Sequence, residues 1–153
     1  MSCIRFNTPA QRKAMRALAP AMLTAEESAA LHPAPAVTPS KITRLRVLAT
    51  HHNPKIRESV ASSLNAPDDL YATLANDPDA GVRSCLARNE AVPCDVLRSL
   101  ADDHSAQVCG WLAVNFFVPL DVMDRLGADP DETVRALVRW KASVAADAEL
   151  VMA

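Results

Sequence analysis

A chain of 153 residues, half of them hydrophobic but only 4% aromatic, has the size of one domain, or of one domain with an appendage. Three glycines and an apolar vocabulary of Ala, Leu and Val argue against an all-β fold, which needs many tight turns, and for closely packed short helices. The net charge of −2 hides an asymmetry: residues 1–57 carry nine Lys/Arg against two Glu, and residues 58–153 carry seven Lys/Arg against sixteen Asp/Glu.

No apolar run approaches the ~20 residues needed to cross a bilayer, and the N-terminus lacks the basic, apolar and small-residue succession of a signal peptide. Cys3, Cys85, Cys94 and Cys109 form no Cys-x-x-Cys pair and read as reduced thiols. The cytoplasm is the expected location.

The first segment, residues 1–39, follows no period. Thr8-Pro9 opens a predicted helix to about Leu18, which Pro20 ends, and Thr24-Ala25-Glu26-Glu27 has capping-box spacing for a second one ending before Pro33. His32 to Pro39, with three prolines, reads as a stiff linker. Ser40 is the expected cap of a helix running through Ile42, Leu45 and Leu48. The segment is either a cap over the first repeat or a binding arm, whose Arg5, Arg12, Lys13 and Arg16 would then meet a polyanion.

From residue 40 to 153 the chain is periodic. Leu48-Ala49, Leu74-Ala75, Leu100-Ala101 and Leu126-Gly127 recur every 26 residues without an insertion. Ile56, Val82, Val108 and Val134 follow in register, next to Arg57, Arg83, Cys109 and Arg135. One turn further lie Val60, Leu86, Leu112 and Val138, then Ala61, Ala87, Ala113 and Arg139. Pro67, Pro93 and Pro119 have Ala145 as their counterpart in the last copy, and Asp69, Asp95, Asp121 and Asp147 stand two residues beyond. Such self-similarity marks a repeat architecture.

Each copy predicts two short helices. The first starts near Asp77-Pro78-Asp79 or Asp129-Pro130-Asp131, where Asp supplies a cap acceptor and Pro lacks an N–H that the first turn does not need. The second starts at the repeated proline and buries Leu70 with Leu74, or Val96 with Leu100; segments this short are α or 3₁₀. Helices under ~12 residues are marginal alone, so stacking of successive copies must supply the stability. The alanine-rich end, residues 142–153, lacks the proline and reads as a degenerate capping repeat.

The stretches Leu74 to Ser99 and Leu126 to Trp140 resemble the leucine-rich repeat variant proteins of bacteria, over roughly Leu48 to Leu150. The resemblance implies an all-α, right-handed solenoid of alternating α- and 3₁₀-helices. The Asp…Val-Arg element also looks like HEAT repeats, although two helices in 26 residues are short for that family. A protein of the variant family carries an iron–sulfur cluster on clustered N-terminal cysteines. Only Cys3 lies in that region here, so no cluster is expected.

Nothing assigns a catalytic triad, a phosphate loop or paired catalytic carboxylates, so no catalytic, cofactor or metal residue is expected. His51-His52 and His104 read as loop substitutes for Asp-Pro. The Arg57, Arg83 and Arg135 column is either a structural ladder to a neighbouring repeat or a row of phosphate contacts. Trp140, in the column of Ser62 and Arg88 and flanked by Arg139 and Lys141, is expected at the surface. Phe116 and Phe117 fall at an inter-helix turn. Aromatic residues and Arg are favoured interface anchors. The expected function is protein–protein interaction without catalysis and without a membrane; nucleic-acid binding through the basic N-terminal segment is the alternative.

Overall fold

The computed structural model describes residues 37–152; the expected N-terminal helices, the linker's beginning and Cys3 lie outside them. Among the described residues there is no strand. Eight α-helices follow one another: α1 Pro39–Ala49, α2 Pro54–Ala61, α3 Asp68–Leu74, α4 Ala80–Arg88, α5 Cys94–Ser99, α6 Ala106–Val114, α7 Leu120–Leu126 and α8 Glu132–Met152, with one 3₁₀ turn at Leu100–Asp102. None of these helices is long and apolar enough to cross a membrane.

The helix starts are built from the residues the period singled out, with two shifts. Helix α1 is capped by Thr38 and not by Ser40: the Thr38 Oγ1 accepts the Lys41 N–H at 3.2 Å. Pro39 fills the first helical position, where a missing N–H costs nothing, and that draws the cap two residues upstream of the expected one. In α4 and α8 the cap is the second Asp of Asp-Pro-Asp. Asp79 Oδ1 accepts from Gly81 and Val82 at 2.8 and 3.2 Å, and Asp131 Oδ1 from Thr133 and Val134 at 2.7 and 3.3 Å. The first Asp is thereby left for other work.

Helices α3, α5 and α7 start directly after Pro67, Pro93 and Pro119, with Asp69, Asp95 and Asp121 in their first turns. All three are α-helical; among the described residues 3₁₀ geometry is confined to the turn after α5. The last copy departs from the two-helix pattern. Ala145 stands in place of the proline, nothing interrupts the ladder of backbone bonds, and α8 runs on for 21 residues through alanine-rich sequence of high helix propensity.

Helix α2 packs on α4, α4 on α6 and α6 on α8, with α3, the 3₁₀ turn and α7 alongside. The core between them is the aligned columns. Val82, Leu86, Val108 and Leu112 of the first helices and Leu70, Leu74, Val96, Leu100, Val122 and Leu126 of the second are buried, each such side chain contributing roughly 1.5–3 kcal/mol. Ile56 and Val138, in the outermost copies, are only half-buried. Two further columns complete the core: Leu45, Tyr71 and Leu97 on the second-helix side, and Ala66, Val92 and Val118 just ahead of the prolines.

Candidate functional site

Three sets of side chains stand out: two recur in register inside, and one faces outward. The first is a ladder of arginines. Arg57 grips Asp77 with two bonds, Nε to Oδ2 at 2.6 Å and Nη2 to Oδ1 at 2.8 Å, while Nη1 donates to the His51 carbonyl at 2.8 Å. Arg83 repeats this one register on: Nε and Nη2 hold Asp103 at 2.6 and 3.0 Å, and Nη1 donates to the Asp77 carbonyl at 2.6 Å. The Arg83 and Asp103 side chains are each only 6% exposed, which matters because a buried carboxylate needs such a partner. Burial pushes the Asp77 and Asp103 carboxyls up, but the guanidinium and the backbone N–H beside each outweigh it and hold both below the usual carboxylate range. The donors of Arg57 and Arg83 are therefore turned inward, as a structural ladder requires. Arg135, in the last copy, donates to the Asp129 carbonyl and to Glu132 on its own helix.

His51 stands in the column of Asp77, Asp103 and Asp129. Its Nδ1 accepts the Asn53 N–H at 3.0 Å, just as Asp77 Oδ1 accepts the Asp79 N–H at 2.9 Å. The imidazole thus imitates the carboxylate in the turn, and its ring lies 4.2 Å from that of His52. Among the described residues no three His, Cys, Asp or Glu side chains converge to hold a metal ion.

The second set is a pair of buried asparagines that the sequence reading did not single out. Asn89 donates Nδ2 to the carbonyls of Ala61 and Ser63 at 2.7 and 2.9 Å, and its Oδ1 accepts the Ala91 N–H at 2.9 Å. Asn115 does the same one register on, to the Ala87 carbonyl at 2.8 Å and from the Phe117 N–H at 2.8 Å. Lys141 takes over in the last copy and donates Nζ to the Asn115 carbonyl. The lysine is therefore half-buried and engaged in packing, and burial lowers its pKa. The only advance signal was a recurrence of Asn at a 26-residue interval.

The third set faces outward. Nine large apolar side chains are exposed among the described residues, and six of them, including all four aromatics, fall between residues 111 and 144. Trp140 is 54% exposed, Phe116 79% and Phe117 56%, so neither phenylalanine fills the core. Trp111, not anticipated from sequence, is 39% exposed and carries the Arg88 guanidinium 5.3 Å above its ring. Beside it, between α6 and α8, runs a cleft of about 330 Å³ lined by Gln107, Gly110, Trp111, Val114, Thr133 and Leu137; the missing side chain of Gly110 opens its floor. Lys141 lies 5.8 Å from the Phe116 ring, and Arg139 is paired with Glu132 at 2.6 Å. Arg5, Arg12, Lys13 and Arg16 lie outside the described residues.

Of the cysteines, Cys94 is exposed, Cys85 half-buried and Cys109 buried. Burial and then the nearby Asp129 carboxylate push the Cys109 thiol up to about 12, so it is a poor nucleophile at neutral pH. Compared with family models, curated proteins and solved structures, the chain matches none.

Proposed function

We propose that the chain is a non-catalytic protein-interaction module, built as a right-handed solenoid of four 26-residue repeats of the leucine-rich repeat variant kind. The observation that carries the interaction reading is the crowding of every exposed aromatic side chain of the described residues into residues 111–140. Exposed aromatics, one of them stacked under Arg88 and lining an apolar cleft, are the chemistry of an interface. The recurrence of the Arg–Asp and Asn–carbonyl contacts at one spacing supports the repeat reading, because side chains in equivalent positions then meet equivalent neighbours.

The test compares the full chain with Trp140→Ala and Phe117→Ala, first by capture from native lysate with and without nuclease, then by binding to the purified captured protein. The expected result is a nuclease-insensitive partner whose affinity drops roughly thirtyfold, about 2 kcal/mol, while the thermal midpoint stays put. Unchanged affinity in both variants would reduce this surface to a covering for the end of the stack. Nucleic-acid binding is the competing reading. It places the contacts on Arg5, Arg12, Lys13 and Arg16, and four phosphate contacts imply a log–log salt slope of roughly −3.6 on duplex DNA that disappears on deletion of residues 1–20.

A further inference from the structure

Asp77, Asp103 and Asp129 stand 26 residues apart and present their carboxylates alike. Each accepts through Oδ1 the N–H two residues on, from Asp79 at 2.9 Å, Ser105 at 2.9 Å and Asp131 at 2.8 Å. Arg57 grips the first and Arg83 the second, each with two parallel bonds. Opposite the third the sequence places Cys109. Its Sγ donates to the Asp103 carbonyl at 3.2 Å, the counterpart of the Asp77 carbonyl that takes the Arg83 Nη1. The thiol answers the carbonyl and lies beside the Asp129 carboxylate but supplies no fork for it. Among the described residues no guanidinium of the chain reaches that carboxylate; Arg135 donates only to the Asp129 backbone carbonyl.

The space follows the chemistry. At the second rung a cleft of about 360 Å³ is lined by Asp77, Pro78, Arg83, Ser99, Asp103 and His104. One register on, the equivalent cleft, lined by Asp103, His104, Arg125, Asp129 and Pro130 among others, measures about 630 Å³. Cys109 does not line it as Arg83 lines its own. The remaining charges around it are committed. Arg83 holds Asp103, Asp131 caps α8, and Arg125 points Nη1 at Asp102 at 2.7 Å and Nη2 at the Arg98 carbonyl at 2.9 Å.

We propose that the Asp129 carboxylate and the Asp103 carbonyl, from which a guanidinium N–H displaces the weaker Cys109 thiol donor, form a receptor for a guanidinium group on an alkyl stem, supplied from outside the repeats where Arg57 and Arg83 serve the first two rungs. A planar fork fits because the same carboxylate and carbonyl pair binds one twice within this chain, and an ammonium cannot make both parallel bonds. The receptor stands on its own geometry and not on the aromatic surface, so either can fail while the other holds.

The test titrates the full chain with ethylguanidinium and with ethylammonium, following backbone amide resonances by NMR. Saturable millimolar binding of ethylguanidinium is expected, with shifts centred on the amides of Asp129 to Asp131 and at least tenfold weaker binding of ethylammonium. Asp129→Asn, which keeps the turn but loses the charge, should abolish it. Cys109→Arg should abolish it too, because the chain then fills its own rung. A blocked Gly-Arg-Gly peptide separates the sources: tighter binding than ethylguanidinium points to an arginine of a polypeptide, equal binding to a small guanidinium compound, and both support the receptor. Equal affinity for the two small cations, or binding undiminished in Asp129→Asn, overturns it.

Discussion

Replacing Asn89 isolates what the inner polar ladder contributes to stability. In Asn89→Ala three hydrogen bonds vanish, two donated to the carbonyls of Ala61 and Ser63 and one accepted from the Ala91 N–H. They are not equivalent. The Ser63 carbonyl keeps the Tyr71 hydroxyl at 2.5 Å, so the loss concentrates on the Ala61 carbonyl, packed beneath a side chain only 5% exposed. At about 1 kcal/mol per bond, with the larger penalty for a buried group left unpaired, the cost is about 2–4 kcal/mol. Asn89→Asp sharpens the argument. It preserves the acceptor for Ala91 but turns a carboxylate toward two carbonyl oxygens, so burial and those dipoles raise its folded pKa above the unfolded value of about 3.9. A raised folded pKa means stability that is present at acid pH and lost as pH rises through the folded pKa. Asn89→Asp should therefore approach the wild type near pH 3.5 and fall further below it than Asn89→Ala at pH 7. Urea unfolding at both pH values reads this directly. Losses under about half a kcal/mol in both variants, or an Asn89→Asp deficit that ignores pH, would refute the ladder's role.

Leu100→Ala, at a side chain 1% exposed, should cost about 2–5 kcal/mol in the same assay; under half a kcal/mol would break the register of the core. Because Asp77 and Asp103 have folded pKa values held below the unfolded one, their contribution is present above about pH 4 and lost as pH falls through the folded values. Asp103→Asn should accordingly flatten the acid limb of the stability curve while lowering the plateau at pH 7; an unchanged acid limb would show the pair to be idle. With a thiol reagent at pH 8, exposed Cys94 should react at once and Cys109, its thiol pushed up to about 12, only on unfolding; rapid native labelling of Cys109 would contradict its burial. The purified protein should be colourless.

What the sequence disclosed followed from spacing. Residues that bury an apolar face every 26 positions announce both helix and core, so Leu74, Leu100 and Leu126, or Val82 and Val108, were legible before any coordinates. Proline and aspartate fixed the helix starts to within two residues, and Thr38 took the cap from Ser40 because Pro39 fits the first turn. The contacts between copies were harder to see. Arg83 meets Asp103 twenty residues away and Asn89 meets Ala61 twenty-eight away, distances that match no helical or hairpin period. An asparagine in a turn ordinarily reads as solvent-facing, and only the packing shows that Asn89 and Asn115 face inward. The Cys109 substitution was visible as an oddity, but its meaning depends on Asp129, a partner that no local pattern names.

The C-terminal helix illustrates a mechanical consequence of that substitution. Between α4 and the segment that follows it, a guanidinium clamp and an asparagine strut act together. Between α6 and α8 the clamp is missing, and the strut is a single lysine reaching the Asn115 carbonyl. Tension applied at the C-terminus would meet this seam first, so α8 should detach under lower force than the layers behind it, opening the α6 face while the remaining helices stay assembled.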